Sequence, residues 1–297
     1  MTSRALNTLL YATSFAFISN VSALDFIQPT PWSSIVSNDI QRFIPDGEVR
    51  TLLAGDDEFI CLYRQSMAAT QRGVVLIIPD WQHPPTSNTG LNFLRKQLND
   101  LGYATSAMTM PDIDWHPADT DTQSNNTQSD TATASTEPKE QTPHFASATP
   151  TISDAVLNDY KLKLITRFNA LYNNALDEQG AIIVLAQGAS AGLLIEHYAS
   201  FPNTSVNAFI SLSGYLPNGE RNQHLNATLS TISPPLLDIF YSEGNQDIVH
   251  SAYERKRWVK RHAKYDYRQR ELFGLPTEPE QHERLLKEVD GFLRRLF

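Results

Sequence analysis

Fully apolar runs alternate along this chain with stretches in which apolar residues recur every three or four positions. The purest runs are GVVLII at 73–78 and AIIVLA at 181–186. Unbroken apolarity of that length suits a strand covered on both faces, as in a parallel sheet beneath helices. Shorter runs predict strands at 48–53 and 58–63, around the turn Ala54-Gly55-Asp56-Asp57, and at 103–110, 208–212, 236–241 and 265–272. Helical spacing appears in Leu91, Leu94, Leu98 and Leu101, stopped by Gly102. It returns over 153–176, where Val156, Tyr160, Leu164, Phe168 and Leu171 form a stripe behind the capping candidates Ser153 and Asp154. Further helices are expected at 193–200, 251–261 and 280–296, whereas 24–50 shows no strong period. The alternation of strand and helix predicts an α/β fold built on a doubly wound, mostly parallel sheet.

Two stretches break the pattern. Residues 117–150 are rich in Thr, Ser, Asp, Gln and Pro and almost empty of large apolar side chains. Such a composition cannot build a core, so a disordered surface insertion is expected there. Residues 1–23 carry Arg4 and no acid, then the apolar run ALNTLLYATSFAFI, then Val21-Ser22-Ala23. This is the layout of an export signal cut near Ala23, and the run is shorter than the ~20 apolar residues of a spanning helix. The sequence thus divides into a signal at 1–23 and one domain at 24–297. The expected mature chain lies in a periplasm or is secreted, and has no transmembrane segment.

Composition narrows the partners. With 24 basic and 33 acidic residues, the formal charge of −9 disfavours a nucleic-acid backbone or an anionic lipid surface. The single cysteine, Cys61, excludes an internal disulfide and a Cys-rich zinc module, and its neighbours in FICLY place it in a buried strand. No metal-ligand spacing, phosphate-binding glycine loop or cofactor motif is present. The basic run Arg255-Lys256-Arg257, with Lys260 and Arg261, reads as a solvated helix face.

Gly188-Ala189-Ser190-Ala191-Gly192 matches G-x-S-x-G between a strand and a helix, the context of a nucleophile elbow. With VVLIIPDWQHP, LRKQLNDLGYAT, VLAQGASAG, AFISLSG and PLLDIF–YSEGNQD in this order, the chain resembles the α/β-hydrolase superfamily. Within it, the chain is similar to the bacterial family of unknown function 3530. The resemblance covers roughly 70–297 apart from the insertion. It implies a strand–turn–helix elbow, an acid in the loop after the 236–241 strand, and a histidine after the last strand. Asp247 and His282 occupy those places, in the order Ser190, Asp247, His282.

Two registers fit the elbow. In one, Ser190 is the nucleophile. In the other, Ala186-Gln187-Gly188-Ala189-Ser190 spans the turn, Gly188 stands at the nucleophile position, and the strand ends at Leu185. His282 also fits the first turn of the last helix, and Asp247 an ordinary surface turn. Asp80, Trp81 and His83 follow the first core strand, where hydrolases build half of the oxyanion hole. The expected His-Gly glycine is missing there, and with Gln187 and Gly188 these residues form a candidate ligand site. Two functions remain open. One is an exported serine esterase or acyl hydrolase acting on a small-molecule or acyl substrate without a cofactor. The other is a degenerate hydrolase fold without catalysis, serving as an envelope binding or scaffold protein.

Overall fold

The structure is a computed structural model that describes residues 30–114, 152–202 and 206–297. The expected signal at 1–23 and the expected insertion at 117–150 lie outside the described residues. Trp32–Phe297 forms one compact unit around an eight-stranded sheet with the order β1-β2-β4-β3-β5-β6-β7-β8. The strands are β1 (Val49–Ala54), β2 (Asp57–Arg64), β3 (Gly73–Ile78), β4 (Tyr103–Met108), β5 (Ala181–Gln187), β6 (Ala208–Leu212), β7 (Leu236–Tyr241) and β8 (Tyr267–Leu272). β1 pairs antiparallel with β2, and β2 antiparallel with β4. Every other pairing is parallel, with β3 central between β4 and β5.

The helices are α1 (Trp32–Phe43), α2 (Leu91–Gln97), α3 (Asp154–Ala175), α4 (Gly188–Ser200), α5 (Gly219–Thr228), α6 (Gln246–Arg261) and α7 (Pro279–Leu293). They cover both faces. Val74, Leu76, Val184 and Phe209 pack with α3 and α4 residues such as Leu164, Phe168 and Leu194. Val75, Ile77, Ile183 and Leu185 pack with Leu91, Leu94, Leu285 and Val289 on the opposite side. Alternate residues of one strand therefore feed two separate cores, which is why β3 and β5 had to be apolar throughout.

Helix ends follow the local chemistry. Ser153 caps α3 by accepting the Val156 amide, and Gly102 stops the segment after α2 at φ +95°. Two helices escape the pattern reading. In α1, Val36 and Ile40 are buried one turn apart, but Ser, Asn and the exposed Trp32, Ile35 and Phe43 dilute the period. In α5, Leu225 is the one large apolar residue on a polar helix capped by Asn218. Element boundaries also move, most of all around the elbow and the following helix. β5 runs through Gln187, α4 starts at Gly188 rather than 193, and α6 starts at Gln246 rather than 251. Arg255 corrects the reading of a solvated basic face. It is fully buried, while Lys256, Arg257, Lys260 and Arg261 are exposed.

Candidate functional site

The elbow is the junction of β5 and α4. Gln187 keeps an extended backbone at φ −115°, and Gly188 turns the chain at φ +59° into the first helical turn. Glycine is required there twice over. The left-handed φ disfavours a side chain, and a Cβ on Gly188 would overlap the carboxyl group of Asp80. Gly188 thus stands at the tip, the place from which a nucleophile would project. The Gln187 side chain turns aside and accepts a hydrogen bond from the Thr89 hydroxyl at 3.2 Å.

Asp80 fills the vacated volume. It follows β3 and Pro79, and one carboxylate oxygen, Oδ1, accepts from the amides of Ala189 (2.8 Å) and Trp81 (2.9 Å). One of these N–H groups follows the elbow tip and the other lies in the loop after β3. A hydrolase of this fold builds its oxyanion hole from that pair. Here the chain's own carboxylate oxygen occupies it. Burial pushes the Asp80 carboxyl up to about 6, against the opposing pull of the Ala189 and Trp81 amides and of His83. The other oxygen, Oδ2, lies 3.8 Å from His83 Nδ1, a buried atom with no hydrogen-bond partner among the described residues.

Aromatic side chains close the site. Trp81 is buried edge-on against Tyr160, with ring centroids 6.1 Å apart. Burial, and then the charge of Asp80, push the phenols of Tyr160 and Tyr215 well above the usual range. Neither phenol becomes an anion at physiological pH.

The residues of the expected triad lie apart in their bonding. Ser190 is fully buried in the first turn of α4; its hydroxyl lies beside the Tyr160 hydroxyl and makes no hydrogen bond of normal geometry among the described residues. Asp247 is exposed in the first turn of α6, where its amide donates to the Asn245 side chain at 2.9 Å. His282 sits in the first turn of α7, Nε2 donating to the Pro276 carbonyl at 2.9 Å, its ring tilted against Phe93. No hydrogen bond or ion pair joins any two of these three side chains among the described residues. What the structure brings together is Asp80, Trp81, His83 and Gly188, with Gln187 alongside. Tyr160 and Tyr215 complete the site without having been singled out by the sequence. A phenol inside an apolar stripe looks like core, and the signal for Tyr215 was only its place just past β6. Among the described residues no cluster of His, Cys, Asp and Glu could hold a metal ion.

Comparison with known proteins gives one family and one fold. The family model described as "Protein of unknown function (DUF3530)" matches residues 29–295. No curated protein matches the sequence. Among solved structures, Est1E from Butyrivibrio proteoclasticus is similar at 10% identity and TM-score 0.54, covering 84% of this chain and 98% of that one. A dienelactone hydrolase from Anabaena variabilis is similar at 12% identity and TM-score 0.55, covering 83% and 96%. A monoglyceride lipase variant from Saccharomyces cerevisiae, in complex with a substrate analog, is similar at 9% identity and TM-score 0.52, covering 84% and 94%. Identities this low establish the shared α/β-hydrolase fold and nothing about activity.

Proposed function

The chain belongs to the DUF3530 family and has the α/β-hydrolase fold, and we propose that it is a non-hydrolytic binding protein of the cell envelope rather than a serine esterase. One observation carries this reading: Asp80 Oδ1 takes both amides that an acyl oxyanion would need, above a glycine at the elbow tip. A second negative oxygen cannot share that hole, and losing a single donor from such a hole already costs about 10²–10³ in rate. Serine chemistry would further require the Ser190 hydroxyl to leave the core and come within ~2.6–3.2 Å of an imidazole nitrogen. Its surroundings favour the opposite, since no histidine among the described residues bonds to it and Tyr160 covers it.

A fluorophosphonate probe tests the reading. The folded wild-type protein and the Ser190→Ala variant are both expected to stay unlabelled. Labelling of the wild type that Ser190→Ala abolishes would restore the esterase. Placement in the envelope rests on Arg4, the apolar run after it and Val21-Ser22-Ala23. Mass spectrometry of protein from its native host should find a chain starting near Leu24, and an intact Met1 would refute export. Within the described residues no helix is long and apolar enough to cross a membrane.

A further inference from the structure

Next to the elbow, past the carboxyl ends of β6 and β7, a cleft of about 470 Å³ opens between the loop at Tyr215, α5 and the first turns of α6. That is within the ~300–1,000 Å³ of small-molecule sites, at the end of the sheet where ligands of open α/β folds bind. Tyr215 belongs to both places, lining the cleft while its hydroxyl lies beside Trp81 and feels the Asp80 charge.

The cleft has a rigid polar floor. Asn226 is 3% exposed, and its Oδ1 accepts from Ser251 Oγ (2.5 Å) and Arg255 Nε (3.3 Å). Arginine only donates, so the atom facing it must be the amide oxygen, and Nδ2 is left to face Glu254 at 3.5 Å. Arg255 is held in turn by Asp238 (2.9 Å) and the Gly214 carbonyl. The walls carry unspent groups. Asn222 and Asn245 use their oxygens to bond the Leu216 and Asp247 amides, which leaves each NH₂ group without a partner among the described residues. Gln223 and the Asp247 carboxylate likewise bond to no other described side chain or backbone group.

We propose that this cleft binds a saccharide. The free NH₂ groups of Asn222 and Asn245 donate, and the unspent Gln223 amide both donates and accepts, a set that matches vicinal hydroxyls; Asp247 accepts from a further hydroxyl, and the Tyr215 ring offers a face for ring C–H groups. Other ligands fit worse. The lining has no lysine, its supporting arginine is buried with all three nitrogens bonded, and its one histidine, His250, already faces Glu254 at 3.9 Å, so an anion finds no free cation. Leu216 and Pro217 are the only wholly apolar side chains lining it, too little wall for an acyl chain. An amine would rely on Asp247 and Glu254, yet Glu254 is already shared with Asn226 and with His250 at 3.9 Å.

The inference rests on the protein being a binder and names the class of its ligand. Saturation-transfer NMR and calorimetry on the full chain should use cellobiose, maltose and N,N′-diacetylchitobiose, with putrescine as the contrasting amine. At least one disaccharide is expected to bind. The Gln223→Ala/Asp247→Asn double variant, altered only at groups the fold does not use, should weaken it about tenfold, roughly 1.4 kcal/mol, at an unchanged melting temperature. Absence of binding by all three sugars overturns the proposal. So does binding of putrescine alone, abolished by Asp247→Asn, which would make the cleft an amine site. Either failure leaves the fluorophosphonate result untouched, whereas labelling at Ser190 would overturn the underlying reading itself.

Discussion

Two carboxylates are shut inside this sheet's carboxyl-terminal half, and they are treated in opposite ways. Asp238, in the middle of β7, is fully buried and paired with the equally buried Arg255 at 2.9 Å; Tyr267 and Gln269 donate to its second oxygen at 2.9 and 3.1 Å. Asp80, past the end of β3, is paired with no arginine or lysine among the described residues. Two backbone amides hold one oxygen, and the other faces a histidine nitrogen beyond hydrogen-bonding reach. A complete shell keeps a buried charge for architecture. An incomplete one leaves a carboxyl pushed up to about 6, the kind of perturbation that marks a site. The contrast separates the elbow, where a carboxylate fills the space beneath the glycine turn, from the β7–α6 network, which props the neighbouring cleft.

The sharpest way to break the contrast is to remove a cation from one carboxylate. Arg255→Met leaves Asp238 buried and uncompensated, and chemical denaturation should show a loss of about 3–5 kcal/mol. If the loss is below ~1 kcal/mol, the network is not the anchor described here. The elbow is next. Gly188→Ala must adopt a left-handed φ and displace Asp80, at an expected cost of about 2–4 kcal/mol. Adding Asp80→Gly should recover more than ~1 kcal/mol of that, because the two positions compete for one volume. Strict additivity would mean that they do not.

Asp80→Asn keeps an acceptor for both amides and removes the charge. The wild-type carboxyl is raised from the ordinary ~3.9, so the folded chain binds its proton more tightly than the unfolded chain does. Its stabilising contribution is complete below about pH 4 and is lost as pH rises through about 6. The variant should therefore be more stable than wild type at pH 8 by about 1–3 kcal/mol, with melting curves converging toward pH 4. A gap that widened on acidification would reverse the assignment. The smallest effect is expected at Cys61, buried in β2 beside Ser106, its thiol pushed up to about 11 by burial. Iodoacetamide at pH 8 should leave it unmodified in the native protein and alkylate it fully in denaturant; native labelling would show that β2 opens.

Much of this was legible in advance, for local reasons. The runs at 73–78 and 181–186, Gly102 and the Ser153 cap are short-range signals, and the strands and helices they announced are present. Where the reading failed, the deciding contact was remote in sequence. Arg255 looks like its basic neighbours until Asp238, 17 residues earlier, is found against it. Helix α1 had apolar residues at helical spacing, but Ser and Asn, weak helix formers, masked them. With Gly188 at the tip the strand was expected to end at Leu185, whereas β5 continues through Gln187, whose side-chain oxygen accepts from the Thr89 hydroxyl.

The sequence by itself determined the α/β alternation, the doubly covered strands, a glycine-rich strand-to-helix turn and a carboxylate just after the first core strand, because each depends on residues close together along the chain. Only the tertiary structure decided that this carboxylate belongs to that turn. Asp80 and Ala189 are 109 residues apart, and nothing local couples them. Packing β3 beside β5 puts the end of one strand against the start of the other's helix, and the space under Gly188 is then large enough for a carboxyl group from elsewhere in the chain. Side-chain chemistry is written residue by residue, but occupancy of a shared volume is settled by the fold.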